Sequence, residues 1–214
     1  MLFEDRCQAG EKLAEKLSPY RGQQPLILAV PRGGVTVAKL IWDKLGGELD
    51  LIITRKIGAP YQPELAIGAV TGDGFVMINE NVVSRLNVSA EYIDKAAGEE
   101  QIEIQRRLEM YRGNRPLPDF DNRLVILVDD GVATGYTLLA ALRSLKEKEP
   151  LKLILAVPVG PPDTFSILGN EVDELVYLEA PPHFAAVGQF YRNFDQVSDA
   201  EVSAMLEKAW QESK

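Results

Sequence analysis

The amino-acid sequence predicts an α/β fold: a Rossmann-like parallel sheet with helices on both faces. Short runs of consecutive apolar residues, each of strand length, alternate with segments whose apolar residues recur at helical spacing. Strands that are apolar throughout are typical of parallel sheets, because helices cover both faces of such a sheet. The 214 residues are enough to bury a sizeable core in one domain.

The elements of the N-terminal quarter follow this alternation. A helix is predicted over residues 5–17, where apolar residues recur at helical spacing before Pro19. The run LILAV predicts a strand over residues 26–30. A helix over residues 35–45 ends at two glycines, and LDLIIT predicts a second strand over residues 49–54.

The next segment is less regular. Residues 55–63 contain scattered breakers, and residues 64–78 are predicted to form two strands around the turn GDG. A long charged helix with one apolar stripe is predicted over residues 89–112. The breaker-rich segment 112–122 is interpreted as a loop within one domain, because both of its flanks share the same alternating pattern. Residues 1–214 are therefore expected to form a single domain.

The C-terminal half returns to strands and helices in alternation. The predicted elements are a strand over 124–128, a helix over 137–146, a strand over 151–157, a helix over 163–168 and a strand over 171–178. Proline, glycine and aromatic residues dominate the segment from 180 to 195. A last helix is predicted over residues 199–210, with Ser198 as its N-cap.

Composition excludes several classes of function. A net charge of −9 disfavours general nucleic-acid binding, which needs a basic face. No apolar run approaches the roughly 18 residues of a membrane span, and the N-terminus lacks an apolar signal core, so a cytoplasmic protein is expected. Cys7 is the only cysteine, which suits a reducing compartment. His183 is the only histidine, so a zinc site built on several histidines is excluded and a Ser-His-Asp triad is disfavoured.

Three loops that follow predicted strands carry the chemistry. Ligands of open parallel sheets bind beyond the carboxyl ends of the strands. There the sequence places PRGG at residues 31–34, the pair Arg55-Lys56, and the segment DDGVATG at residues 129–135. These loops are expected to bring two acids, three cations and four glycines to one edge of the sheet.

The loop after the predicted strand 124–128 suits a ribose phosphate. Gly131 and Gly135 permit a tight turn with inward amides, and a helix that begins nearby presents free N–H groups to an anion. Asp129 and Asp130 would repel a phosphate, but they suit the cis-diol of a ribose, which donates hydrogen bonds to carboxylates. A diol beside a phosphate indicates a ribose 5-phosphate.

The segment LVILVDDGVATGYT, residues 124–137, resembles the signature of the type I phosphoribosyltransferases. The resemblance covers most of the chain: PRGG resembles the pyrophosphate loop, residues 55–80 the flexible β-hairpin loop region, and residues 180–196 the hood over the acceptor. It implies transfer of ribose 5-phosphate from 5-phosphoribose-1-pyrophosphate to a nucleobase or related heterocycle, as in nucleotide metabolism. It also implies Mg²⁺ held mainly by substrate oxygens and water, and it leaves a homodimer open.

The resemblance also implies roles for individual residues. The ribose and its 5-phosphate would be bound by Asp129, Asp130, Gly131, Val132, Ala133, Thr134, Gly135 and Thr137. The pyrophosphate would be bound by Arg32, Gly33, Gly34, Arg55 and Lys56. An acceptor ring would contact Phe184 and Val187. The residues expected to act in catalysis are Asp129, Asp130, Arg32, Lys56 and Glu64.

One position departs from the family pattern. Ala133 stands where members that use hypoxanthine or guanine carry an acid for proton exchange with the purine. Glu64 is the candidate replacement, and an exposed loop carboxylate is the simpler interpretation of the same residue.

Other interpretations remain open. VILVDD also begins receiver domains, but there the acids follow the first strand of the domain. The glycine pattern does not match the dinucleotide fingerprint G-x-G-x-x-G. PRGG could be an ordinary turn, and Arg55-Lys56 a solvated pair. A non-catalytic phosphoribosyl-pyrophosphate sensor is the main functional alternative, and a non-enzymatic scaffold is a third.

Overall fold

The computed structural model describes residues 2–212 and contains two sheets. The strands are β1 (Leu26–Ala29), β2 (Glu48–Leu51), β3 (Thr54–Ala59), β4 (Gln62–Thr71), β5 (Val76–Ile78), β6 (Leu124–Val128), β7 (Lys152–Val159) and β8 (Glu174–Glu179). The α-helices are α1 (Arg6–Lys16), α2 (Gly33–Leu45), α3 (Glu80–Leu86), α4 (Ala90–Arg112), α5 (Tyr136–Lys146), α6 (Pro162–Gly169) and α7 (Asp199–Glu212). Short 3₁₀ helices span Ser18–Tyr20 and Val187–Phe190.

The larger sheet confirms the predicted fold class. Its five strands are parallel and lie in the order β2-β1-β6-β7-β8. Successive side chains point to opposite faces, so Ile126 and Val128 join the core under α1, α2 and α7, whereas Val125 and Leu127 join the core under α5 and α6. Helices therefore cover both faces.

The strand order creates a crevice between β1 and β6. The chain leaves β1 towards β2 on one side, and it leaves β6 towards β7 on the other. Ala29 is in register with Val128, so the loops that follow these two strands begin side by side. Such a switch point is where open α/β sheets bind ligands.

The smaller sheet corrects the prediction for residues 49–63. Strand β2 ends at Leu51, and Thr54 begins β3, which pairs with β4 in the antiparallel sheet β3-β4-β5. The breakers misled the prediction: Gly58 lies at a register shift, and Pro60-Tyr61 form the hairpin turn. The expected β-hairpin is therefore present and begins earlier.

Helix α3 was not predicted. It is short, with Asn79 as its N-cap, and it ends at Asn87 in the left-handed conformation. The other helices agree with the predictions to within a few residues, and Ser89 caps α4 by accepting from the backbone N–H of Tyr92. No helix within residues 2–212 is long and apolar enough to cross a membrane. The single-domain interpretation of residues 1–214 stays a prediction.

Candidate functional site

The loops that follow β1 and β6 lie in direct contact at the switch point. A Cβ atom on Gly33 would lie 1.8 Å from Oδ2 of Asp130, and one on Gly34 would lie 3.0 Å from Cα of Asp129. Only glycine permits this approach. The peptide bond between Pro31 and Arg32 is cis. The PRGG loop forms one wall of the crevice, and the acid pair forms the other.

The loop from Gly131 to Gly135 leads directly into α5. Gly131 and Gly135 have φ angles of 154° and 76°, which favour glycine. The backbone N–H of Val132 donates to the carbonyl of Val159 at 2.9 Å, and the Thr164 hydroxyl donates to the carbonyl of Ala133 at 2.8 Å. These bonds fix the loop against β7 and α6.

The start of α5 is available to an anion. Gly135 is its N-cap, so the first-turn N–H groups have no side-chain cap. Thr134 is exposed and Thr137 is half-buried beside this turn. The predicted phosphate loop therefore offers backbone N–H groups and hydroxyls on one surface.

The acid pair is held in place by neighbouring groups. Oδ1 of Asp129 accepts from the backbone N–H of Asp130 at 2.8 Å, and Oδ2 of Asp130 accepts from Nε of Arg6 at 2.6 Å. The Tyr191 hydroxyl donates to the backbone carbonyl of Asp130 at 2.6 Å. Burial and the neighbouring Asp130 charge raise the pKa of Asp129 well above its ordinary value, and Arg6 opposes that rise.

Sequence reasoning missed the contribution of Arg6. Arg6 lies in the first turn of the first predicted helix, where an arginine is usually solvated. Only the folded chain brings it close to Asp130, which lies 124 positions further along the sequence. The contribution of Tyr191 was missed as well: its ring is buried, and its hydroxyl reaches the acid loop. No local pattern marks either contact.

The predicted pyrophosphate cations already have carboxylate neighbours. Nη1 of Arg32 lies 3.8 Å from Oδ1 of Asp199. Arg55 pairs with Glu100 at 2.5 Å. Because Arg55 lies inside β3, the prediction that it directly follows a strand of the main sheet is wrong.

Lys56 also lies in β3, where its Nζ pairs with Oε2 of Glu64 at 2.7 Å. Lys56 is opposite Ala69, which packs against Ala140 of α5, so Lys56 occupies the face of the small sheet that turns towards α5. The Glu64 side chain is almost fully exposed, and its hydrogen bond with Lys56 lowers the pKa of Glu64. The pairing thus keeps Glu64 ionised.

The predicted hood lies over the acid loop. The Phe184 and Phe190 rings stack at 5.1 Å, and Phe184 is half-buried. A Cβ atom on Gly131 would lie 2.5 Å from Cγ1 of Val187, so Val187 covers this glycine. The backbone N–H of Phe3 donates to the carbonyl of Phe190 at 2.8 Å, which attaches the hood to the N-terminal segment.

The chain is thus an α/β protein whose acid pair and open helix start lie at the switch point of its parallel sheet, the place where such sheets bind ligands. Residues 3–165 match the family model of the phosphoribosyl transferase domain, and the chain belongs to this family. The resemblance inferred from the segment 124–137 is therefore confirmed.

Relatives support the same assignment. Proteins from two Mycobacterium tuberculosis strains, CDC 1551 and H37Rv, both provisionally named phosphoribosyl transferases, are 42% identical to the chain over 208 residues. The match covers 97% of this chain and 47% of each relative, so the chain spans about half their length. The crystal structure of TT1426 from Thermus thermophilus is 40% identical, with a TM-score of 0.84, over 97% of this chain and 99% of that one.

Proposed function

We propose that the chain transfers the ribose 5-phosphate group from 5-phosphoribose-1-pyrophosphate to a nitrogen of a nucleobase or related heterocycle, releasing pyrophosphate. The observation that carries the proposal is the contact between the PRGG loop and the acid pair, directly beside the open start of α5. This arrangement offers neighbouring subsites for a pyrophosphate, a ribose and a phosphate.

The 131–137 loop would bind the 5-phosphate. Its free N–H groups and the hydroxyls of Thr134 and Thr137 donate to phosphate oxygens, and the positive end of the α5 dipole favours their charge. The ribose hydroxyls would donate to Asp129 and Asp130. The carboxylate charge then favours the cationic character that develops at C1 as the bond to pyrophosphate breaks.

The leaving pyrophosphate would lie along the other wall of the crevice. The amides of Gly33 and Gly34 and the guanidinium of Arg32 would stabilise its charge. Lys56 and Arg55 would join them only by exchanging their present partners Glu64 and Glu100 for the pyrophosphate.

Magnesium fits this arrangement as a companion of the substrate. Within residues 2–212 no cluster of three or more histidine, cysteine or acidic residues could hold a metal ion. The crevice offers the carboxylates of Asp129 and Asp130, so most ligands would come from substrate oxygens and water. Bound Mg²⁺ would neutralise part of the pyrophosphate charge.

The acceptor would enter beneath the hood. Phe184 offers a ring face for stacking, and Val187 lies over Gly131 beside the ribose subsite. An acceptor bound there would present its nitrogen to C1, and the hood would exclude water from the reacting centre. Glu64 remains the proposed proton acceptor, and it must leave Lys56 to act.

Pyrophosphate release, measured against a panel of purines, pyrimidines and other nitrogen heterocycles, tests the proposal. Release that requires one class of heterocycle is the expected result. Saturable binding of phosphoribosyl pyrophosphate without release for any acceptor would instead support the sensor, the alternative that keeps the pocket and loses turnover.

Arg32→Ala is expected to lower turnover roughly tenfold or more, because a charge-assisted hydrogen bond to the leaving group is lost. Inhibition by the product pyrophosphate should weaken in parallel, while ribose 5-phosphate binding changes little. Arg123→Ala is the matched control, since Arg123 pairs with Glu48 at the opposite edge of the sheet. Equal weakening of ribose 5-phosphate and pyrophosphate binding in Arg32→Ala would show that the two subsites are misassigned.

Phe184→Ala is expected to raise the acceptor KM roughly tenfold, since stacking of a base on one ring is worth about 1–3 kcal/mol. The affinity for phosphoribosyl pyrophosphate, measured by calorimetry on the same variant, should barely change. Because Phe184 also stacks on Phe190, the melting temperature must be recorded. If sugar-phosphate and acceptor binding weaken together, or the variant unfolds, Phe184 is a core residue.

A further inference from the structure

We propose that Arg6 is a positioning residue that fixes the Asp130 carboxylate and ties the hood to it. The inference rests on the proposed function for its kinetic consequences. Arg6 is far in sequence from both partners, on the first turn of α1. It would thereby connect the ribose subsite with the segment that closes over the acceptor.

Three contacts hold the guanidinium of Arg6. Its Nε donates to Oδ2 of Asp130 at 2.6 Å, its Nη1 donates to the backbone carbonyl of Asp195 at 2.7 Å, and its central carbon lies 3.8 Å from the centre of the Phe194 ring. Only 11% of the side chain is exposed. Phe194 in turn stacks on Tyr191 at 4.9 Å. Arg6 is therefore held from the acid loop on one side and from the hood on the other.

The geometry leaves half of the Asp130 carboxylate for a ligand. Arg6 engages Oδ2 through Nε, and within the described residues no N–H group donates to Oδ1 of Asp130. The hydrogen bond runs from Nε to Oδ2 alone, and within the described residues Nη2 of Arg6 makes no hydrogen bond with Oδ1, so Arg6 does not fork across both carboxylate oxygens. A ribose hydroxyl can thus donate to Oδ1 while Arg6 keeps Oδ2, so the contact orients the acid rather than blocking it.

The charge of Arg6 also matters for the acid pair. Two adjacent, partly buried carboxylates repel each other, and burial and this repulsion raise the pKa of Asp129. Arg6 is the cation that opposes the rise, the Tyr191 hydroxyl also faces the pair through the Asp130 carbonyl, and the Asp5 charge acts on that hydroxyl. Without Arg6 the pair would keep a proton to higher pH and would accept the ribose hydroxyls less well.

The hood contacts predict a second consequence. The backbone N–H groups of Arg192 and Asn193 donate to the carbonyls of Phe3 and Glu4, each at 2.9 Å. Arg6 lies two residues beyond Glu4, and its Nη1 holds the carbonyl of Asp195, two residues beyond Asn193. Loss of the guanidinium should therefore loosen this pairing, which amide hydrogen exchange reports independently of any activity.

The test compares Arg6→Gln and Arg6→Lys with the exposed control Arg21→Gln. In Arg6→Gln we expect the acidic limb of kcat/KM to move up by about one pH unit or more. We also expect phosphoribosyl-pyrophosphate affinity to fall roughly tenfold near neutral pH, and faster amide exchange at Arg192 and Asn193. Arg6→Lys should restore the acidic limb but not the amide protection, because an ammonium cannot form the planar fork and stack of a guanidinium.

Two results would overturn the inference. A wild-type acidic limb and wild-type amide protection in Arg6→Gln would show that Arg6 positions neither partner. Tighter phosphoribosyl-pyrophosphate binding in Arg6→Gln would show that Arg6 competes with the ribose. Failure of the wild-type protein to bind phosphoribosyl pyrophosphate would instead refute the proposed function. Amide exchange at Arg192 and Asn193 in Arg6→Gln would still decide whether Arg6 holds the hood.

Discussion

Replacing Asp129 and Asp130 together by asparagine is expected to leave the fold intact and to abolish turnover. Charge-assisted hydrogen bonds to two ribose hydroxyls are lost, which should cost about 2–5 kcal/mol of sugar-phosphate binding. Asparagine preserves the shape of each side chain, so the contact of Asp130 with Gly33 is retained. Calorimetric titration with phosphoribosyl pyrophosphate and Mg²⁺ measures the loss, and thermal unfolding checks the fold.

The matched control is Asp119→Asn with Asp121→Asn. Both residues are exposed, and they precede β6, at the opposite end of that strand from the acid pair. The control changes the net charge by the same amount, so it separates a local effect from general electrostatics. Unchanged affinity and turnover in the Asp129 and Asp130 variant would refute the assignment of the ribose subsite.

Arg112→Met is expected to destabilise the protein by about 3–5 kcal/mol near pH 8, because it leaves a buried carboxylate without its cation. Nη2 of Arg112 lies 3.0 Å from Oδ2 of Asp50, and the two side chains are 4% and 0% exposed. Burial raises the pKa of Asp50 to about 6, even though Arg112 acts in the opposite direction. Chemical denaturation measures the free energy of unfolding.

The pH dependence of this variant has a definite sign. The pKa of Asp50 in the folded protein lies above its ordinary value, so the stability it contributes is lost as pH rises through about 6. Removal of Arg112 raises that pKa further. The loss in free energy of unfolding caused by Arg112→Met should therefore be smaller near pH 5 than near pH 8. Arg106→Met, which breaks an exposed pair with Glu103, should cost less than about 1 kcal/mol. A penalty in Arg112→Met that does not change with pH would show that Asp50 does not carry the effect.

The main sheet was predictable because its central strands β1, β6 and β7 are largely apolar on both faces. The run LVILV indicates a buried strand by itself, without information from other segments, and β6 has the predicted bounds. The small sheet was harder to predict, because glycine and proline suggested an irregular loop. In the structure, Gly58 lies at a register shift and Pro60 lies in the turn of a hairpin. Short α3 depends on its caps and carries no long apolar stripe.

The candidate site divides in the same way. Its loops could be predicted, since local sequence determines the glycine turns at Gly131 and Gly135 and the helix start that follows them. Contacts between distant segments could not, because no periodicity links Arg6 to Asp130 or Tyr191 to the acid loop. The partners of Arg55 and Lys56 likewise depend on how the small sheet packs against α4 and folds on itself.

The most direct test of the central claim is a calorimetric titration of the wild-type protein with phosphoribosyl pyrophosphate in the presence of Mg²⁺. We expect saturable binding at one site per chain, with ribose 5-phosphate and pyrophosphate each competing for part of that site. Binding should weaken as salt is added, since the ligand is a polyanion held by cations and N–H groups. Absence of saturable heat, or binding that neither fragment reduces, would contradict the assignment of the crevice between β1 and β6.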